Sequence, residues 1–144
     1  MTNDDSTLNF NQKIIAEFRA NGGRTEAFGD APLLLLTTKG AKTGREHTSP
    51  VMYLADEHDS TLVYVFASYA GADSNPAWYY NVLANPYEVT VEIGVEAVSA
   101  SAAVLDEPRR TAIYNEQAKR FPGFAEYQAK TTRTIPVVEL KLHQ

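Results

Sequence analysis

The feature that most constrains this chain is the strict alternation over residues 87–93, where Tyr87, Val89, Val91 and Ile93 interleave with Glu88, Thr90 and Glu92. Successive side chains of a strand point to opposite faces, so this pattern puts the apolar groups on one side and the polar ones on the other. Gly94 then permits a turn and a second extended run reaches about Val104, which predicts a hairpin. Residues 48–55 and 62–68 are also β-rich, and the short polar connection Asp56-Glu57-His58-Asp59-Ser60 between them predicts another hairpin. Pro32 opens the apolar run Leu33-Leu34-Leu35-Leu36, which reads as a buried strand, and residues 136–142 read as a last strand.

Helical spacing appears between these strands. Over residues 10–20, Phe10, Ile14, Ile15 and Phe18 form an apolar stripe that Asn9 can cap and Gly22-Gly23 can stop. Asn75-Pro76 suits entry to a helix over 77–84, which Asn85-Pro86 ends. Residues 107–120 carry a sparse stripe at Ile113 and Ala118, and 121–129 form a further helix around Pro122. Strands do not alternate regularly with helices, so a doubly wound parallel sheet fits poorly. The expected fold class is α+β: an antiparallel barrel with helices packed outside.

A chain of 144 residues leaves room for one domain, expected over residues 11–144 behind a flexible terminus at 1–10. Its 13 basic and 18 acidic residues give a formal charge of −5, which disfavours nucleic acid and anionic membrane as partners. The longest apolar run, residues 62–67, is far shorter than the ~18 residues of a membrane span. The opening MTNDDSTLNF has neither a basic start nor an apolar core, so no signal peptide is read and a cytoplasmic location is expected. Its acidic Asp4 and Asp5 also give no support for peripheral membrane attachment. With no cysteine, disulfides, thiol nucleophiles and thiolate metal sites are excluded. His47, His58 and His143 lack metal-ligand spacing, so no metal is expected, and no serine sits in a nucleophile elbow. Asp56, Glu57 and Asp59 read as a solvated loop, and the pairs Arg109-Arg110 and Lys119-Arg120 as the exposed face of a helix.

Two segments carry candidate chemistry. TTKGAKTGREH at residues 37–47 concentrates Lys39, Lys42 and Arg45 in a glycine-flanked turn of an acidic protein. Glycines let backbone amides converge on an anion, and Lys and Arg supply charge-assisted hydrogen bonds, so the turn resembles an anion cradle. The Walker pattern does not fit, because Gly40 is followed by Ala41 rather than lysine. A solvated hairpin turn with basic decoration accounts for the same residues. The second segment, ASYAG at 67–71 with NPAWYYN at 75–81, gathers the single tryptophan and three of the eight tyrosines. Such density suits a planar ligand, and an ordinary helix packing its rings into the core suits it as well.

Read together, EFRANGG (17–23), PLLLLTT (32–38), GAKTG (40–44), NPAWY (75–79), LANP (83–86) and TRTIPV (132–137) resemble the deazaflavin-dependent nitroreductase family of actinobacteria, collinearly over residues 11–138. The resemblance implies a split β-barrel related to flavin-binding reductases, with reduced coenzyme F420 as hydride donor. It implies that Lys42, Thr43 and the backbone of Ala41 bind the coenzyme phosphate, helped by Arg45, and that His47, Thr48, Ser49, Pro50, Val51 and Met52 run beside the deazaflavin. Phe66, Ala67, Ser68, Tyr69, Ala77, Trp78, Tyr79, Tyr80 and Asn81 then complete the coenzyme groove, with Phe124 and Tyr127 over the substrate pocket. The chain departs from the commonest family pattern at Ala41 and His47, where many relatives carry arginine, and at Tyr69, where some carry lysine.

The expected reaction passes hydride from the deazaflavin to a small-molecule acceptor: an activated alkene or enone, a quinone or a nitro compound. Tyr127 is the candidate proton donor, because a phenol in an apolar pocket can hydrogen-bond a developing oxyanion; a plain wall residue is the alternative. Competing readings are an FMN-dependent oxidoreductase of the same barrel superfamily and a non-catalytic F420 carrier. Monomer and homodimer both remain open.

Overall fold

A computed structural model describes the backbone over residues 3–143 and the side chains over residues 10–143. Four helices, α1 (Asn3–Ala20), α2 (Ala77–Ala84), α3 (Arg109–Arg120) and α4 (Gly123–Ala129), surround six strands: β1 (Leu33–Lys39), β2 (Glu46–Ala55), β3 (Leu62–Phe66), β4 (Val89–Ile93), β5 (Glu96–Val104) and β6 (Val137–Leu142). The strands close into one barrel in the order β1-β2-β3-β6-β5-β4, with every neighbouring pair antiparallel. Both expected hairpins are present. The long-range pairings β1 with β4, β3 with β6 and β5 with β6 complete the closure.

Burial explains why some strands alternate and others do not. In β1, Leu34 and Leu36 face the barrel interior, while Leu33 and Leu35 pack outward against Ile14 and Phe18 of α1. In β3, Val63 and Val65 face inward, and Tyr64 and Phe66 meet Tyr114 of α3 and Phe124 of α4. A strand covered on both faces reads as a continuous apolar run. Each such side chain, fully buried, contributes about 1.5–3 kcal/mol. β4 has one face inward, through Val89 and Val91, and its partner residues Thr90 and Glu92 are half-buried, hence the clean alternation.

The helix ends follow local chemistry. Gly22 and Gly23 adopt φ of 64° and 101°, and the Gly23 N–H donates to Phe18 O at 2.8 Å, which stops α1. A side chain at Gly23 would place its Cβ 3.0 Å from the Gly94 Cα, so two glycines let the end of α1 approach the β4–β5 turn. Arg19 then ties α1 to β4 by a paired contact with Glu92, at 3.0 and 2.8 Å.

Three expectations need correction. α1 begins at Asn3, so Asn9 lies inside the helix rather than capping it; of the flexible terminus expected over 1–10, residues 1–2 and the side chains of 3–9 lie outside the described residues. Tyr87 precedes β4 and is exposed, because Pro86 and Tyr87 form the connection from α2. Arg110 is buried rather than exposed. Its guanidinium sits 4.7 Å over the Tyr114 ring and donates to Ile135 O and Gln128 Oε1 at 2.9 and 2.8 Å, which together satisfy the buried charge. Arg109, Lys119 and Arg120 remain exposed as expected. Among the described residues no helix is long and apolar enough to cross a membrane.

Candidate functional site

The β1–β2 connection forms a tight turn built around two glycines. Gly40 N–H donates to Arg45 O at 2.7 Å, and Gly44, at φ 72°, donates back to Gly40 O at 3.0 Å. A Cβ on Gly40 would lie 2.8 Å from Thr43 Oγ1 and 3.2 Å from His47 Nε2, so its missing side chain is what lets those two groups close over the turn. Helix α2 holds the turn from below. Asn81 accepts from the Ala41 N–H at 3.0 Å and donates to Thr38 Oγ1 at 3.0 Å, and Asn85 donates to Lys39 O at 3.2 Å. Lys39 turns away to pair with Glu88, leaving Lys42 and Arg45 without an ion pair among the described residues.

Above this turn lies a cavity of about 870 Å³, within the range of small-molecule sites. Its walls are Ala41, Lys42, Thr43, Glu46, His47, Thr48 and Ser49 from the turn and β2, Ala77, Trp78, Tyr80 and Asn81 from α2, and Asn11, Gln12 and Ile15 from α1. A second cavity of about 440 Å³ adjoins it and shares Asn11, Ser49, Ala77 and Trp78. The two form one groove along β2, cationic and polar at the turn and aromatic at the far end. There Pro50, Val51 and Met52 of β2 face Phe66, Ser68, Tyr69, Phe124 and Tyr127.

The aromatic end is rigidly packed. Phe124 meets Phe66 and Tyr127 edge to face, with ring centroids 5.5 and 5.3 Å apart. Tyr114 stands behind them, and its hydroxyl donates to Phe124 O at 2.6 Å. Burial pushes that phenol up to about 12. Tyr114 is thus committed to structure, whereas Tyr127 faces the cavity. Packed against α4, Tyr69 and Ala70 adopt φ of 46° and 54° in a single 3-10 turn. Left-handed backbone at non-glycine residues costs about 1–3 kcal/mol each and persists only where its surroundings enforce it.

Most of the residues proposed from sequence therefore come together. Three do not line the groove. Arg45 is exposed and lines neither cavity, Ala67 is fully buried in the barrel core, and Tyr79 packs against that core with its edge to Tyr80. Ala41 and Asn81 line the cavity, but their N–H and amide are engaged with each other. Trp78 belongs to the barrel core, as the packing reading of the aromatic segment expects, and it also walls both cavities. Sequence reasoning missed Asn11, Gln12 and Ile15 of α1, together with Phe28, whereas Gly40, Glu46, Ala70 and Pro76 lie within the two candidate segments without having been singled out as site residues. Glu46 places one carboxylate in the cationic end. Among the described residues no group of three or more His, Cys, Asp or Glu could hold a metal ion.

Comparison with known proteins points the same way. The family described as F420H2-dependent quinone reductase matches residues 11–141. An F420H2-dependent quinone reductase of Mycobacterium tuberculosis (strain ATCC 25618 / H37Rv) is 35% identical over 133 residues, 87% of this chain and 85% of that protein. The solved structure of an F420-H2 dependent reductase is 34% identical with a TM-score of 0.67, covering 76% of this chain and 94% of that one. Another solved structure, described as a domain-swapped dimer, is 30% identical with a TM-score of 0.70 and covers 97% of this chain and all of that one.

Proposed function

The chain belongs to the F420H2-dependent quinone reductase family, and is thus an oxidoreductase whose family implies coenzyme F420; on that premise we propose how its groove divides the work. The observation that carries the proposal is the groove itself: a cationic, polar end continuous with an aromatic end, with Trp78 walling both. A flat ring bearing a multiply negative tail matches that donor set. Lys42 supplies a charge-assisted bond to the phosphate, with the Thr43 hydroxyl and the backbone amides of Lys42 and Thr43 beside it. The Ala41 N–H takes no part, because Asn81 already accepts from it. Residues from His47 to Met52 and Trp78 line the path of the ring.

When bound, the reduced deazaflavin supplies a hydride from C5. The protein's task is to orient and shield. Phe66, Phe124 and Met52 give the acceptor an apolar slot that excludes water, and closeness of donor and acceptor converts a bimolecular encounter into an oriented one. Reducing a quinone requires one hydride and one proton at the developing oxyanion. Tyr127 faces that slot, and we assign its hydroxyl the proton or the hydrogen bond that stabilises the charge. Enones and nitro compounds present the same demand, an oxygen that gains charge, and we propose them as further acceptors.

The direct test is single-turnover oxidation of bound reduced F420 by a menadione-type quinone under anaerobic conditions. Rapid oxidation is expected, with FMN failing to substitute in a parallel titration. Tight binding of F420 with no oxidation by any quinone, enone or nitro acceptor would mean a carrier, and preferential binding and turnover of FMN would transfer the groove to a flavin.

A further inference from the structure

The segment between α4 and β6 contains a residue whose bonding is unusually concentrated. The Arg133 guanidinium donates from Nε to Ala72 O at 2.9 Å, and one terminal nitrogen donates to Asn75 Oδ1 at 2.7 Å. The other terminal nitrogen donates to Ala67 O and Ser68 O at 3.2 and 3.0 Å. All four acceptors belong to the loop joining β3 to α2, which carries the left-handed pair Tyr69 and Ala70. The Arg133 backbone is itself fixed: its carbonyl accepts from Gln128 Nε2 at 2.7 Å, and Gln128 in turn accepts from Arg110 and from the Ile135 N–H. Gly71 closes the other side, since a Cβ there would stand 2.9 Å from Tyr127 O.

We propose that Arg133 is a positioning residue for the acceptor end of the groove, clamping residues 67–75 so that Tyr69 is held in the wall it shares with Phe124 and Tyr127. It lines neither cavity and touches no reacting group. A planar fork with five donors in fixed directions can reach four acceptors on one loop; the compact ammonium of lysine cannot. Without that clamp, the strained turn relaxes and the slot loses its shape. The cationic end, held by Asn81 further along α2 and tied there to Thr38 of β1, stays as it is. The functional half of this inference rests on the acceptor occupying the aromatic end.

The test compares the wild-type protein with Arg133→Gln, Arg133→Lys and the milder Asn75→Ala, which removes only the 2.7 Å bond. Hydrogen exchange is read first: faster exchange confined to residues 68–75, with residues 40–49 unchanged, is expected, and unchanged protection there overturns the clamp whatever the substrate. Steady-state kinetics with a small and a large quinone are read second. In Arg133→Gln the KM for quinone should rise about tenfold while F420 affinity stays within about twofold, and Arg133→Lys should not restore it. A loosened loop with unchanged KM in an active enzyme overturns the positioning role alone. Parallel loss of F420 affinity and quinone turnover, following the fraction unfolded, overturns it as mere stability. A wild-type protein that oxidises F420H2 with no quinone while exchange still changes at 68–75 refutes the reaction assigned above, not the clamp. If Arg133→Gln fails to fold, the same readouts on Asn75→Ala decide, with smaller changes in the same direction expected.

Discussion

Replacing Asn81 with alanine is expected to loosen the β1–β2 turn and weaken coenzyme binding together. The side chain is 7% exposed and its amide works twice, accepting from Ala41 N–H and donating to the Thr38 hydroxyl, both at 3.0 Å. The two losses are unequal. Ala41 is exposed, so water replaces the missing acceptor and the net cost is about 0.5–1.5 kcal/mol. Thr38 is 1% exposed, so its hydroxyl is left buried without its donor, at about 1–3 kcal/mol. The sum, about 1.5–4.5 kcal/mol, lowers the melting temperature of a chain this size by about 5–15 °C. Asn85→Ala is the control, because it removes one longer bond, 3.2 Å, to a half-buried loop and should cost about 1 kcal/mol or less. Thermal unfolding by circular dichroism and F420 titration on the same preparations provide the readout. An Asn81→Ala protein that melts with the wild type, or that loses stability yet binds F420 as tightly as Asn85→Ala does, would refute the claim that α2 holds the cradle.

Other outcomes follow from the same geometry. Lys42→Ala should raise the F420 dissociation constant about tenfold at low salt, with the difference shrinking as ionic strength rises; calorimetric titration at two salt concentrations reads both effects. Tyr127→Phe should leave F420 affinity intact and lower kcat with quinones about 100-fold, and unchanged turnover would remove the proton-donor role. Tyr64 and Tyr114 are both raised to about 12, chiefly by burial and, for Tyr64, also by its hydrogen bond to Asp56. Their folded values lie above the unfolded one, so the stability they contribute is intact below about pH 10 and is lost as pH rises toward about 12. Burial also raises Tyr53, so ultraviolet titration should find three phenols ionising late as the chain loses stability, and Tyr114→Phe should remove one of them; uniform ionisation of all eight tyrosines near their ordinary value would contradict this.

The strands were legible because burial writes itself into local sequence: alternation in β4, covered on one face, and unbroken apolar runs in β1 and β3, covered on both. The closure of the barrel through β1 with β4, β3 with β6 and β5 with β6 was reached only as an architecture, since pairing between distant strands leaves no local mark. At the site, the turn and the Trp78 segment could be found because glycines, cations and aromatics cluster in sequence. Asn11 and Gln12 could not. On α1 they occupy the polar face of an amphipathic helix and look like solvent-facing residues until the helix lies across the groove. Arg110 shows the same limit in reverse: nothing local separates a solvated arginine from one buried over Tyr114 with Ile135 O as its partner. Ala67 fell outside the groove because it continues the two-residue alternation of Val63 and Val65 into the core, and Tyr79 because it lies next to Trp78 and Val82 on the core-facing side of α2.

The account stands or falls on where the coenzyme lies, and a crystal structure of the F420 complex measures that directly. The phosphate is expected within hydrogen-bonding distance of Lys42 and Thr43, with the ring against Trp78 and the strand from His47 to Met52, leaving the space beside Phe124 and Tyr127 for the acceptor. A phosphate bound away from Lys42 and Thr43, a ring that fills the space beside Phe124 and Tyr127, or F420 anywhere outside the groove would contradict it.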